Sequence, residues 1–125
     1  MTEAQKKSVL IVEDDNGLVN LLKNKLEGPG IEVITAGTGQ QALNMIKNKV
    51  PNLVVLDIML PGGMNGFDVL EQIKGNPTQK GIPVIVLTNL DTEQKTALDI
   101  GAIDYIVKPN ISLDEVVLKI KNNLH

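Results

Sequence analysis

The sequence predicts an α/β fold in which a five-stranded parallel sheet is covered by helices on both faces, as in doubly wound proteins. Short apolar runs rich in β-branched residues alternate five times with longer segments of helical periodicity. The third run, Leu53–Leu56, is wholly apolar, as expected of a strand with both faces buried. Alternation of this kind implies right-handed crossovers between parallel strands. The 125 residues are enough for one domain with a core and too few for two.

Each predicted strand is a short apolar run, and each predicted helix is an apolar stripe with helical spacing. The strands are expected at residues 9–12, 32–36, 53–56, 82–87 and 103–107. The helical stripes consist of Leu18, Leu21, Leu22 and Leu26; Ala42, Leu43, Ile46 and Val50; Phe67, Leu70 and Ile73; Ala97, Leu98 and Ile100; and Leu113, Val116, Val117, Ile120 and Leu124. Gly and Pro mark the ends of the first three helices, and the segment from Ser112 to Glu115 predicts a capping box for the last one.

The charge and the composition disfavour several classes of function. The formal net charge is −3 and all 12 basic residues are Lys, so direct nucleic-acid binding is not expected. No apolar run is long enough to cross a bilayer, so membrane insertion is not expected either. The absence of Cys excludes disulfides and thiolate chemistry and fits a cytoplasmic location.

Four of the predicted strands place particular polar residues at their carboxyl ends. Glu13 and Asp14 follow the first strand, Asp57 follows the third, Thr88 follows the fourth and Lys108 follows the fifth. Because the carboxyl ends of parallel strands lie at one edge of a sheet, these residues are expected to converge in one crevice. Three carboxylates supply the hard oxygen ligands that Mg²⁺ prefers, and a hydroxyl with an ammonium would bind phosphoryl oxygens.

Each of these residues also has a plain structural explanation. Glu13 and Asp14 could be acids that cap the following helix, and Asp57 could cap a loop. Lys108 could be a solvated surface residue, and Thr is common in strands. The functional interpretation is that a carboxylate at the end of an apolar strand is costly without a cation, and that such a carboxylate can attack a phosphoryl group. Taken singly, the residues leave both explanations open.

The sequence resembles the receiver domain of two-component response regulators over nearly its whole length. The matching segments are 9–15, 56–61, 66–70, 86–88, 101–102 and 105–109, in this order and spacing. The resemblance implies a flavodoxin-like sheet with strand order 2-1-3-4-5. It also implies that Mg²⁺ is held by Glu13, Asp14, Asp57 and the main-chain carbonyl of Met59.

The same resemblance implies a signalling function rather than an enzymatic one. Asp57 would accept a phosphoryl group from a sensor histidine kinase or a phosphotransfer protein, and Thr88 and Lys108 would bind its oxygens. Thr88 and Tyr105 would switch the face of the fourth helix, fifth strand and fifth helix, where a downstream protein partner would bind. A phosphorylation-dependent dimer is a further expectation. The receiver domain is expected to span residues 8–125 after a flexible segment at 1–7.

Three details bear on the lifetime of the phosphoryl group and on access to it. The loop at 61–66 is one residue longer than the common form of the family, and Asn89 stands where Ala or Gly is usual. Met59 and Leu90 lie two residues after the phosphoacceptor and the switch hydroxyl. Their apolar side chains should hinder an attacking water, which predicts slow autodephosphorylation.

Three alternatives remain at this point. A six-stranded dinucleotide-binding fold is disfavoured because only five strands can be counted and the first turn is acidic instead of Gly-rich. A Mg²⁺-dependent aspartyl phosphohydrolase would need an acid/base residue where the chain has Met59. A pseudo-receiver that only binds partners would have lost site residues, all of which are present. One predicted helix follows Pro109, so the chain is either a stand-alone receiver or part of a longer protein.

Overall fold

Five strands alternate with five helices in the computed structural model, which describes residues 6–108 and 111–124. The elements are β1 (Lys7–Val12), α1 (Asn16–Leu26), β2 (Ile31–Ala36), α2 (Gly39–Asn48), β3 (Leu53–Leu56), α3 (Gly66–Gly75), β4 (Val84–Thr88), α4 (Gln94–Ile100), β5 (Asp104–Val107) and α5 (Leu113–Asn122). All neighbouring strands pair in parallel, in the order β2-β1-β3-β4-β5. The predicted doubly wound, flavodoxin-like fold is confirmed.

Alternate residues of the strands face two separate apolar clusters, one on each side of the sheet. In β1, Leu10 and Val12 belong to the cluster beneath α2, α3 and α4. Val9 and Ile11 belong to the cluster beneath α1 and α5. All four side chains are fully buried, as expected for a central strand covered on both faces. This double covering explains why β3 can be wholly apolar.

Side-chain caps determine where several helices begin. Asn65 and Asp68 form a reciprocal capping box at the start of α3, which was not predicted although the sequence has the required spacing. At α5 only half of the predicted box forms. The hydroxyl of Ser112 accepts from the amide of Glu115 at 3.2 Å, but the Glu115 carboxylate lies against that hydroxyl and not against the Ser112 amide.

Three residues of the predicted apolar stripes are exposed and these assignments were wrong. Leu21 is 53% exposed, because Val19 takes the inward position in α1. Val50 lies beyond the end of α2, and Leu98 lies on the outer side of the short helix α4. The other residues of the five predicted stripes are buried or partly buried, so those assignments are confirmed.

Four of the five strands begin at a different residue from the prediction, and only β3 matches it at both ends. β4 begins at Val84 because Pro83 has no amide hydrogen and the amide of Ile82 is used in the preceding turn. β1 already includes Lys7, the last residue of the segment expected to be flexible. Residues 1–5 of that segment, and residue 125 of the expected domain, lie outside the described residues.

Candidate functional site

The register of the central strands brings the two buried carboxylates together. β1 and β3 pair at Val12 and Leu56, so Glu13 and Asp57 follow at adjacent positions of the same sheet edge. The amide of Asp57 donates to the carbonyl of Val12 at 3.0 Å and extends this pairing by one residue. The site is thus built on the ends of rigid strands, where side-chain positions are well determined.

Three carboxylates form an acidic cluster at this edge. One oxygen each of Glu13, Asp14 and Asp57 lies within 4.8 Å of the others. Glu13 and Asp57 are each only 5% exposed, whereas Asp14 is open to solvent. Buried carboxylates at this spacing repel one another unless a cation lies among them, and an all-oxygen set open on one side fits a hydrated Mg²⁺. The predicted convergence of these three residues is confirmed.

The ammonium of Lys108 lies between the two buried carboxylates. Its Nζ donates to Glu13 Oε1 at 2.5 Å and to Asp57 Oδ2 at 2.9 Å. Burial alone would lower the pKa of Lys108, but the hydrogen bonds to the two carboxylates outweigh it and the pKa is raised. Lys108 is therefore a fully charged, partly buried cation, and not the solvated surface residue that its sequence position also allowed.

Glu13 is oriented by the turn that follows β1. Its Oε2 accepts the amides of Asp14 and Asp15 at 3.0 and 3.2 Å, which turns the other oxygen toward Lys108. Burial raises the pKa of Glu13, the hydrogen bond from Lys108 offsets part of this, and the charge of Asp57 raises the pKa further. The pKa of Glu13 is raised overall, and the ammonium of Lys108 is the neighbour that favours the charged form of this carboxylate.

Both oxygens of Asp57 have partners. Lys108 binds Oδ2, and the amide of Met59 donates to Oδ1 at 3.0 Å. This amide was not predicted as part of the site. The predicted metal ligand is the carbonyl of Met59, and that assignment stays a prediction. The two hydrogen bonds fix the plane of the carboxylate.

Thr88 and Tyr105 are linked through the backbone of a single residue. Thr88 is fully buried, and its hydroxyl accepts from the amide of Leu90 at 3.5 Å. The Tyr105 hydroxyl donates to the carbonyl of the same Leu90, with the ring turned inward and 8% exposed. Among the described residues, no hydrogen bond joins Thr88 to Asp57. Leu90 was predicted only as an apolar side chain, since sequence carries no signal for its backbone role.

The loop at 61–66 adopts a conformation that depends on glycine. Gly62 and Gly63 have φ values of 93° and 84°, a region that side chains strongly disfavour. The backbone at these two positions thus favours glycine. Asn89, the other expected departure, is exposed.

A groove of about 520 Å³ opens beside Ile58, the residue that follows Asp57. It lies between the segment that follows β3 and the segment that follows β4. Its lining includes Met59, Phe67, Leu90 and Glu93. The groove is therefore mainly apolar.

Comparison with known proteins agrees with this architecture. The sequence model of the family described as "Response regulator receiver domain" matches residues 9–121. The chain therefore belongs to the receiver domain family of response regulators. A match of this extent covers all five strands except the first two residues of β1, and it includes every candidate site residue.

Individual relatives show how far the similarity extends. The chain is 38% identical over 109 residues to "Probable transcriptional regulator ycf27" of Cyanophora paradoxa, covering 86% of this chain and 44% of that protein. The chain thus spans less than half the length of this curated relative. Among solved structures, a receiver domain protein (CheY-like) from Methanospirillum hungatei has a TM-score of 0.85 and 34% identity, with 96% of this chain and 94% of that one covered.

A second solved structure is similar at lower identity. The phosphorylated cyanobacterial phytochrome response regulator RcpA has a TM-score of 0.79 and 29% identity, covering 94% of this chain and 91% of that one.

Within residues 6–108 and 111–124, no helix combines the length and the apolar character needed to cross a bilayer.

Proposed function

We propose that this receiver domain accepts a phosphoryl group on Asp57 from a phosphohistidine of a sensor kinase or a phosphotransfer protein. The observation that carries the proposal is the pair of hydrogen bonds from Lys108 to two buried carboxylates within the acidic cluster. Such an arrangement is needed where negative charge accumulates, and a phosphoryl group brings more of it. A similar structure, that of RcpA, is described as phosphorylated.

The chain's own residues account for each part of the transfer. A carboxylate oxygen of Asp57 attacks phosphorus; an oxygen–phosphorus bond forms while the donor's phosphorus–nitrogen bond breaks, and the electron pair leaves with the imidazole nitrogen. Lys108 compensates the charge on the phosphoryl oxygens, and the amide of Met59 keeps the carboxylate in its plane. Bond making and breaking thus take place on a pre-oriented nucleophile.

Mg²⁺ is the cofactor that the donor set fits best. Glu13, Asp14 and Asp57 would hold it, together with the main-chain carbonyl of Met59. When bound, the ion would neutralise charge on the transferring phosphoryl group. The low exposure of Glu13 and Asp57 limits the competition of bulk water for the site.

A switch is supported by the shared partner of Thr88 and Tyr105. If the Thr88 hydroxyl turns to a phosphoryl oxygen, the amide of Leu90 loses its hydrogen-bond acceptor. The carbonyl of the same Leu90 accepts from the Tyr105 hydroxyl, so a shift of this backbone also affects the tyrosine. Movement at Leu90 therefore reaches β5 directly. Phosphorylation would shift an equilibrium between two arrangements of this segment, as in other switches driven by a local charge.

The face of α4, β5 and α5 is the proposed surface for a downstream protein partner. Leu98, Ile103 and Leu118 are exposed along it, at 39%, 45% and 58%. Asp104 and Lys119 form an ion pair of 3.3 Å between β5 and α5. A phosphorylation-dependent dimer through this face, the lack of direct nucleic-acid contacts and a cytoplasmic location stay predictions.

The phosphohydrolase alternative is disfavoured by the residue next to the site. Position 59, where an acid/base residue is required, carries an apolar Met that is 56% exposed. A Met side chain cannot donate or accept the proton that hydrolysis requires. We therefore expect the domain to retain its phosphoryl group and not to hydrolyse it rapidly as a phosphohydrolase would.

Intact mass spectrometry tests the proposal directly. The protein is incubated with phosphoramidate and Mg²⁺, since this donor carries the same phosphorus–nitrogen bond as phosphohistidine. We expect a gain of one phosphoryl group, lost with EDTA or in Asp57→Asn. Asp99→Asn removes an exposed carboxylate paired with Lys95 and is the matched control, which should still gain the group.

Two results would contradict the proposal. One is a phosphoryl gain that persists in Asp57→Asn, which would place the acceptor elsewhere. The other is no gain in folded protein whose melting temperature Mg²⁺ raises, which would favour the pseudo-receiver alternative.

A further inference from the structure

A second groove, of about 560 Å³, lies between α2 and α3. Five carboxamide side chains line this α2–α3 groove: Gln40, Asn44, Gln72, Asn76 and Gln79. Val50 and Gln79 belong to the loops that precede β3 and β4, so this end of the groove lies at the edge of the sheet opposite to Asp57. The volume is within the range of about 300–1,000 Å³ that is typical of ligand sites. The groove is therefore separate from the acidic cluster and large enough for a ligand.

Gln79 is a buried polar residue whose side chain lacks a hydrogen-bond partner in the described part of the chain. It is only 8% exposed. Its backbone amide donates to the carbonyl of Asn76 at 3.0 Å, and its backbone carbonyl accepts from the amide of Ile82 at 2.9 Å. Within residues 6–108 and 111–124, no unpaired side-chain nitrogen or oxygen is cut off from solvent. The carboxamide of Gln79 is therefore reached through the groove, and leaving it unpaired is unfavourable unless a ligand or water binds it.

Two further carboxamides present hydrogen-bond donors to the groove. The side-chain oxygen of Asn76 accepts from the amide and from the hydroxyl of Thr78, both at 2.8 Å. The side-chain oxygen of Asn44 accepts from the side-chain nitrogen of Gln40 at 3.3 Å. Because the oxygen is occupied in both residues, the NH₂ group is the part that a ligand can bind. Such groups pair with carbonyl oxygens, and the backbone of an extended peptide offers one at every residue.

The charge of the groove favours an acidic ligand. Lys47 lines it, and none of the ion pairs in the described part of the chain involves this residue. The described residues that line the groove include no carboxylate, which disfavours a metal ion, and no aromatic ring on which a nucleobase would stack. Leu43, Ile46 and Val50 supply apolar surface beside the carboxamides.

We propose that the α2–α3 groove binds an extended acidic peptide segment of a partner protein. Gln79, Asn44 and Asn76 pair with the main-chain amides of the peptide, and Lys47 pairs with one of its carboxylates. Val50, which is 50% exposed, contacts an apolar side chain of the peptide. The described lining includes no residue of α4, β5 or α5, so this partner binds without competing for the face of those elements.

NMR titration of the full chain labelled with ¹⁵N tests the proposal, because the side-chain NH₂ groups of Asn and Gln give resonances of their own. The probe is the capped peptide acetyl-Ala-Leu-Asp-Ala-amide, and the matched probe has Asn in place of Asp. We expect the acidic peptide to shift the side-chain resonances of Gln79, Asn44 and Asn76. It should also bind about twofold to fivefold more tightly than the matched probe, as expected for one exposed ion pair.

Two variants separate binding from folding. Gln79→Leu should weaken the binding of the acidic peptide about twofold to tenfold and keep the melting temperature of the wild type, since it removes a carboxamide without a partner in the described residues. Lys47→Met should abolish the preference for Asp over Asn in the peptide. Gln94→Leu in α4 and Lys121→Met in α5 are the matched controls outside the groove, and both should bind the acidic peptide as the wild type does.

Four results would overturn the inference. Resonances that do not shift at all would show that the groove does not bind acidic peptides, and shifts confined to other surfaces would place the peptide elsewhere. Equal affinity for the two probes would remove the role of Lys47. A lower melting temperature of Gln79→Leu with unchanged peptide binding would show that this carboxamide supports the fold and not a ligand.

Discussion

Replacement of Gly66 by Ala tests how the junction between β3 and α3 is built. A Cβ added at Gly66 would lie 2.2 Å from the carbonyl oxygen of Asp57 and 2.6 Å from the Cα of Ile58. Both atoms belong to the backbone, so no side chain can move aside. The closer contact is 1.2 Å inside the 3.4 Å at which ordinary contact begins, and the first turn of α3 must move away from Asp57.

The expected cost follows from these distances. Overpacking against a fixed backbone typically costs about 1–3 kcal/mol. The displacement also weakens the hydrogen bond of 2.8 Å from the amide of Gly66 to the carbonyl of Ile58, which contributes about 1 kcal/mol. We therefore expect Gly66→Ala to lower the free energy of unfolding by about 3 kcal/mol, a large share of the roughly 5–15 kcal/mol typical of a domain.

Urea unfolding followed by circular dichroism measures this change. Gly75→Ala is the matched control, because Gly75 lies at the other end of α3 and has nothing within 4 Å of an added Cβ. This substitution should stabilise by about 0.4–1 kcal/mol, because Ala restricts the unfolded chain more than Gly does. A loss of less than about 1 kcal/mol in Gly66→Ala would show that the junction yields easily, and the reasoning from close contact would be refuted.

Three further predictions concern the site and its supports. Lys108→Met leaves Glu13 and Asp57 without their shared cation, so in EDTA it should lower the free energy of unfolding by about 3 kcal/mol, and Mg²⁺ should recover more stability than it does in the wild type. Burial raises the pKa of Tyr105, so the phenol absorbance at 295 nm should titrate at higher pH than in the unfolded chain, where the pKa is about 10. Because the folded pKa lies above the unfolded one, this stabilisation is complete below the unfolded pKa and is lost as the pH rises through the folded pKa. Asn65→Ala removes the capping box of α3 and should cost about 1 kcal/mol in urea unfolding.

Each of these predictions has a clear contrary result. Lys95→Met breaks an exposed ion pair and should be nearly neutral, so a similar loss in both Lys variants would remove any special role for Lys108. A Tyr105 midpoint at or below that of the unfolded chain would mean that the ring is solvated. Unchanged stability in Asn65→Ala would mean that the capping box is energetically redundant.

The candidate site was predictable because it depends on two simple features, the short apolar runs that predict strands and the common edge at which parallel strands end. Each site residue follows a short apolar run, and parallel strands must end at one edge, so Glu13, Asp57 and Lys108 had to approach one another. Sequence could not reveal which atoms would bind. The amide of Met59 and the backbone of Leu90 became visible only in the structure, because every residue carries the same backbone groups.

The helix faces were harder to predict for a different reason. α1 contains four Leu and one Val, and an apolar stripe can be drawn through Leu21 or through Val19. Packing against the sheet and α5 selects Val19, a long-range effect that spacing does not encode. Similarly, Pro83 delays the start of β4, although the run from Ile82 is apolar throughout. The presence of each strand could be predicted from its apolar composition. The residue at which each strand begins or ends depends on which backbone amides pair with the neighbouring strand, and this is visible only in the structure.

Chemical localisation of the phosphoryl group tests the central claim most directly. Protein treated with phosphoramidate and Mg²⁺ is reduced with borohydride, which converts an aspartyl phosphate to homoserine, and is then digested and sequenced by mass spectrometry. Lys108 binds the carboxylate of Asp57 within the acidic cluster. We therefore predict conversion at Asp57 alone, with Asp14 and Glu13 unchanged. Conversion at another carboxylate, or a phosphoryl group that resists reduction and maps to a hydroxyl side chain, would contradict the account.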